Sequence, residues 1–264
     1  MPTLATHKQF QDIRRLPFCY LCGCTFVQSD AKDRDHVPPK TCFAKTDRNV
    51  PLALPTHVSC NHSHHLTDEK IGQVISLKRG AVPGLRNRRI AISVFPPNAH
   101  RGVLGAITNI DIKGAIRRWI RGFHAALYSE PLHDATQFGI NTPFPTAQLS
   151  QGALLHDPIL PQHRLFVKTL KVNRSVRNVD RIESNNGKME YECVWQQSDT
   201  GSWMCIFGLN IYDWKDMGAI QSFPARGCVG FYATPSGSAP SNATRATAIS
   251  VLIPNYDPLD AFGR

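Results

Sequence analysis

CYLCG at residues 19–23 and HVSC at residues 57–60 are the stretches on which the reading of this chain turns. Cys19 and Cys22 are separated by two residues, so both thiolates can bind one tetrahedral ion, and Gly23 permits the tight turn that brings them round. His57 follows 35 positions after Cys22 and pairs with Cys60 as a second half-site, H-x2-C. Together the halves make a closed site of three sulfurs and one nitrogen, a ligand set of structural zinc. Cys24 could replace a member of the first pair, and His62 or His64 could compete in the second.

The remaining cysteines fit this reading. Cys19, Cys22, Cys24, Cys42 and Cys60 crowd the first quarter of the chain, whereas Cys193, Cys205 and Cys228 are scattered through apolar stretches. In a reducing compartment such crowding points to metal, and the scattered thiols read as small buried hydrophobes. With 264 residues and 42% apolar content, the chain can build a hydrophobic core without disulfides. MPTLATHKQFQDIRRLPF (1–18) lacks the pattern of a secretory signal, and no stretch approaches the roughly 18 uninterrupted apolar residues of a membrane span. A cytoplasmic protein with no membrane partner is the expectation.

Outward from the cysteines, residues 1–17 read as a short leading helix or arm ending at Pro17. A strand is expected near DRDHV (33–37), a Pro-Pro loop at Pro38 and Pro39, and a second strand around NVPLALP (49–55). One helix is then expected from Cys60 or Asn61 through HSHHLTDEKIGQVISLK (62–78). Residues 80–102, rich in Gly, Pro and Arg, read as a connection with one short strand at RIAISVF (89–95). DIKGAIRRWIRGFHAALY (111–128) is an amphipathic helix: Ile112, Ile116, Ile120, Phe123 and Leu127 share a face, with Lys113, Arg117, Arg118 and Arg121 largely off it. Residues 129–160 read as an irregular connection, and the remainder as β: LFVKTLKV, MEYECVW, WMCIFGLNIY, GCVGFYAT and ATAISVLI, with turns at SNNGK and SDTGS. PSGSAPSNAT (235–244) is expected to be a mobile loop.

Charge divides the chain in the same places. Residues 1–75 carry 9 Lys/Arg and 7 Asp/Glu, net +2; residues 76–128 carry 10 and 1, net +9; residues 129–264 carry 11 and 12, net −1. Nearly all of the +10 surplus thus sits in one middle segment, the footprint expected of a polyanion-binding surface; the plainer reading is a solvated helix face. Three units follow: 1–75 with the zinc site, a basic segment 76–128 with its helix, and a β-rich region 129–264 of unknown role. The fold class is α+β.

Between the half-sites stands RDHVPPK (34–40), and the second runs directly into CNHSHH (60–65). With these motifs, residues 18–70 resemble the HNH (ββα-metal) endonucleases, particularly bacterial members with a DHVPPK loop and a CN-containing zinc knuckle. The resemblance covers about a fifth of the chain. It implies a treble-clef-like nuclease unit in which His36 is the general base, while Asp35 and Asn61 bring oxygens to a catalytic Mg²⁺ or Mn²⁺. Asn49 matches the central asparagine that steadies the loop carrying the base, although its twelve-residue interval to Asn61 is longer than in common members. His64 and His65 lie three and four residues after Asn61, on its face of one continuous helix, so either could reach the metal or the scissile phosphate.

The implied activity is metal-dependent hydrolysis of nucleic acid, expected to be DNA, with structural zinc. Lys40, Lys113, Arg117, Arg118 and Arg121 are the candidate phosphate contacts. Plainer readings stand beside these: Asp35-His36 as a turn, Asn61 as the N-cap of its helix, Lys40 as a solvated side chain. A zinc-dependent nucleic-acid-binding module that has lost its chemistry is the alternative function.

Overall fold

The computed structural model describes residues 2–78, 92–94, 105–107, 110–141, 163–198, 201–212 and 228–246. The chain begins with a two-residue strand β1 (Thr3–Leu4) and helix α1 (His7–Ile13). Thr6 and Gln9 cap α1 reciprocally, each side chain meeting the other residue's backbone N–H. Strands β2 (Lys32–His36) and β3 (Ala53–His57) form an antiparallel pair in which Asp35 faces Leu54 and His36 faces Ala53. Helix α2 (Val58–His62) leaves β3 without an intervening loop, and α3 (His65–Lys78) follows.

The single helix expected after Cys60 is therefore two. It breaks at Ser63 and His64, where the Ser63 hydroxyl turns back to the Cys60 carbonyl at 2.8 Å. The expected strand at 89–95 corresponds to β4 (Ile92–Val94), paired antiparallel with β5 (Gly105–Ile107).

Helix α4 (Ile112–Tyr128) is capped by the Asp111 carboxylate, which accepts from Gly114 N–H at 2.8 Å. It is the expected helix, but it is buried on more than one side: Ala115, Ile116, Trp119, Ile120 and Phe123 lie in the core, and so do Arg118 and His124. Gly122 lets it approach the β2–β3 pair. A Cβ there would lie 2.8 Å from Val37 Cγ1 and 3.1 Å from Leu54 Cδ1.

Strand β6 (Gln137–Asn141) follows within the segment expected to be irregular. Next is α5 (His163–Ser175), then β7 (Asp180–Ser184), β8 (Met189–Gln197), β9 (Trp203–Ile211) and β10 (Cys228–Ala233). The strands join in the order β1-β7-β8-β9-β10-β6, parallel between β1 and β7 and antiparallel elsewhere. This mixed sheet, with helices against both faces, makes the fold α+β. Alternation along the strands sends Tyr191, Cys193, Trp195, Cys205, Phe207 and Tyr232 toward α4, and Val194, Met204, Ile206, Val229 and Phe231 toward Phe166 and Leu170 of α5.

LFVKTLKV (165–172), expected as a strand, lies inside α5. Its Val and Thr content suggested β, but Phe166, Thr169, Leu170 and Asn173 are buried at helical spacing while Lys168, Lys171 and Arg174 are exposed. PSGSAPSNAT, expected to be mobile, is tied into the sheet: Trp203 N–H donates to the Gly237 carbonyl at 2.8 Å, and Trp195 N–H to the Thr244 carbonyl at 2.9 Å. The expected strand ATAISVLI falls, apart from Ala246, outside the described residues. One contiguous core runs through all three charge-defined segments, from Phe10, Tyr20 and Leu54 through Ile120 and Phe123 to Tyr191 and Trp195. Among the described residues no helix is long and apolar enough to cross a membrane.

Candidate functional site

The cysteine turn forms as its spacing requires. Gly23 takes φ +75°, its N–H donates to the Cys19 carbonyl at 2.8 Å, and Cys19 N–H closes onto Cys24 at 2.9 Å. The β3–α2 junction then brings His57 and Cys60 to this turn. The ligand atoms of Cys19, Cys22, His57 and Cys60 all lie within 4.8 Å of one another, with His57 Nδ1 3.4 Å from Cys22 Sγ and 3.9 Å from Cys60 Sγ.

Zinc–sulfur bonds of about 2.3 Å and zinc–nitrogen bonds of about 2.0 Å imply ligand separations of roughly 3.5–3.8 Å around a tetrahedral ion. The cluster fits zinc. Cys24 is exposed, with its thiol against the Cys22 carbonyl, and neither it nor His62 or His64 belongs to the group.

The thiols do not ionise alike. Burial opposes ionisation of Cys19, but hydrogen bonds from Thr56 and from backbone N–H groups outweigh it and bring the thiol down to about 7. Cys22 and Cys60 are pushed up by burial and by the neighbouring Cys19. A cation between them would relieve that crowding.

His36 closes β2, half-buried. Burial, followed by the charges of Lys40 and Arg14, brings its imidazole down to about 4, so it is neutral at pH 7. Asp35, one residue back, points into the protein: the Tyr20 hydroxyl donates to its carboxylate, and Arg118 Nη1 lies 3.6 Å away. Burial lifts the Asp35 carboxyl above the ordinary range, against the pull of Arg118 and Tyr20. Arg118 also forms an ion pair with Asp68 of α3, so one guanidinium joins β2, α3 and α4.

Asn61 lies within α2 rather than at its N-cap, which is His57. Its side-chain amide donates to Asp33 at 2.8 Å. Asp33 is exposed, and this bond together with the Arg34 N–H holds its carboxyl below the usual range. Asp35 and Asn61 therefore have different partners, Asp35 being engaged by Tyr20 and Arg118 and Asn61 by Asp33. The signal for Asp33 was the D-x-D spacing, because alternate residues of a strand share a face. Nothing local marked Asp68, or the pairing of Arg118 with two carboxylates rather than with phosphate.

The other candidates are dispersed. Asn49 is exposed in the bend before Val50, and Lys40 is exposed at the start of a short 3₁₀ turn. The turn between α2 and α3 means that Asn61 and His65 belong to different helices, with His64 N–H donating to the Asn61 carbonyl at 3.1 Å between them. His65 is exposed, whereas burial and Arg118 lower the pKa of His64.

The expectation that the α4 cations lie off the packed face holds for Arg117, which is exposed, but not for Arg118. Arg121 donates to the Leu21 carbonyl of the cysteine turn at 2.8 Å and pairs with Asp134 at 2.6 Å. Lys113 is half-buried. No protein-family model, curated protein or solved structure matches this chain.

Proposed function

We propose that this protein is an HNH-type endonuclease that hydrolyses phosphodiester bonds of nucleic acid, with DNA the first substrate to test. One observation carries the reading: the four-residue zinc cluster clamps the β2–β3–α2 unit, and that unit ends β2 on a neutral, half-buried His36. A strand pair followed directly by a helix and stapled by zinc matches the ββα arrangement that the DHVPPK and CN motifs imply.

In this reaction His36 takes a proton from water as the water oxygen bonds to phosphorus. The bond from phosphorus to the 3′ oxygen breaks, and the departing oxygen takes a proton from solvent. The Mg²⁺ or Mn²⁺ implied by the resemblance would supply charge stabilisation at the phosphoryl oxygens. Asn61 is open to that role, but Asp35 is engaged by Tyr20 and Arg118, so no step is assigned through the ion. Of the five candidate phosphate contacts, Arg117 and Lys40 are the exposed ones.

The engagement of Asp35 favours the second reading, a zinc-dependent nucleic-acid-binding module without chemistry. Incubation with supercoiled plasmid and with RNA, with and without Mg²⁺ or Mn²⁺, separates the two. Cleavage by wild type that falls about 10²–10⁴-fold in His36→Ala, with zinc content retained, supports the nuclease. Binding without cleavage under every metal, or equal cutting by the variant, rejects it.

A further inference from the structure

The zinc cluster uses one nitrogen of His57, and the other has its own partner. His57 Nδ1 faces the thiols of Cys22 and Cys60, while Nε2 lies 3.2 Å from Asp30 Oδ2 on the opposite side of the ring. Asp30 is outside the four-residue group and is not a ligand.

Its carboxylate is held in place by its own loop. Oδ2 accepts the Val27 N–H at 2.7 Å, and Asp30 N–H donates to the Val27 carbonyl at 3.1 Å. The ring is also fixed from the side by Phe26, edge-on with centroids 4.9 Å apart. The residue thus sits on a built turn and meets His57 across 27 positions of sequence.

Neutral imidazole carries one proton, on either nitrogen, and only the bare nitrogen can bind metal. A carboxylate at Nε2 accepts a hydrogen bond from Nε2–H and so leaves the bare Nδ1 lone pair directed at the cysteine sulfurs. We propose that Asp30 is the positioning residue of the metal centre, selecting the His57 tautomer and ring orientation that place Nδ1 on zinc. This rests on the zinc reading of the cluster and not on nucleic-acid cleavage. Removing such a partner ordinarily weakens metal affinity about 10–100-fold.

The test is zinc affinity of the full-length protein, by competition with a chromophoric chelator, for wild type, Asp30→Leu and Asp30→Asn. A ¹⁵N imidazole spectrum of zinc-loaded wild type is recorded beside it. Asp30→Leu, similar in size but unable to accept a hydrogen bond, should raise the zinc Kd about 10–100-fold. Asp30→Asn, which keeps an acceptor oxygen, should lose less. The spectrum should show the His57 proton on Nε2 and metal on Nδ1.

A spectrum with the proton on Nδ1 overturns the proposal even if the leucine variant fails to fold. So does wild-type affinity in both variants. A wild type that takes up neither zinc nor Co²⁺ overturns the metal reading itself, which is a separable result.

Discussion

Arg118→Met separates an interior role for the α4 cations from a nucleic-acid-binding one. The Arg118 side chain is 5% exposed, and its partners Asp35 and Asp68 are 7% and 15% exposed. Methionine fills much of the aliphatic volume but leaves both carboxylates without their cation. Breaking a buried pair from one side costs about 3–5 kcal/mol, because the remaining charge is uncompensated. Urea denaturation of the zinc-loaded protein should show a loss of that size for Arg118→Met. Arg117→Gln, on the exposed side of the same helix, should stay within about 0.5 kcal/mol of wild type. Asp35→Asn added to Arg118→Met should recover part of the loss, since a neutral amide no longer needs the guanidinium. The salt dependence of nucleic-acid binding should divide the other way: each lost phosphate contact removes about one unit of log–log slope, and only Arg117→Gln should do so. An Arg118→Met protein as stable as wild type but with a flatter salt slope would refute the assignment.

Two further outcomes follow from the packing. His124 is buried at 1% exposure between Tyr232, whose hydroxyl is 3.0 Å from Nδ1, and Glu130, 3.3 Å from Nε2, with Tyr128 edge-on beside it. Burial lowers its pKa despite Glu130, so between that lowered value and about 6.5 the unfolded chain binds a proton that the folded one does not. Its contribution to stability is therefore complete above about pH 6.5 and is lost as pH falls, at up to about 1.4 kcal/mol per unit. Melting between pH 7.5 and 5 should be steeper for wild type than for His124→Gln; parallel curves would show that the imidazole takes up its proton over the same pH range in the fold as in the unfolded chain. At Gly122, helix propensity alone would make alanine stabilising by about 1 kcal/mol. The 2.8 Å approach to Val37 instead predicts a net loss of about 1–3 kcal/mol, relieved when Val37→Ala is added, and a more stable Gly122→Ala would contradict the close docking of α4.

The sequence by itself determined the parts whose information is local. C-x2-C with Gly23 and H-x2-C specify two metal half-sites through spacing alone, and the four ligands do converge. The apolar repeat of α4 and the residues of β8, β9 and β10 were legible for the same reason, since a period of 3.6 or 2 is written along the chain. Periodicity faltered at 165–172, where β-branched residues occupy helical positions, and at Ser63–His64, where a short turn separates two helices.

Tertiary structure alone decided the partners. That Asp33 rather than Asp35 meets Asn61 depends on where along β2 the helix α2 is brought and on Tyr20 and Arg118 reaching Asp35, and both are set by the pairing of β2 with β3 and the docking of α4. Whether an arginine on α4 faces solvent or two carboxylates depends on α3 lying beside it, 50 positions away in sequence. A wheel drawn from one helix cannot carry that, because a helix packed on several sides has no single polar face. The choice of His57 tautomer belongs to the same class, since the loop that carries Asp30 reaches the imidazole only after the strands have paired.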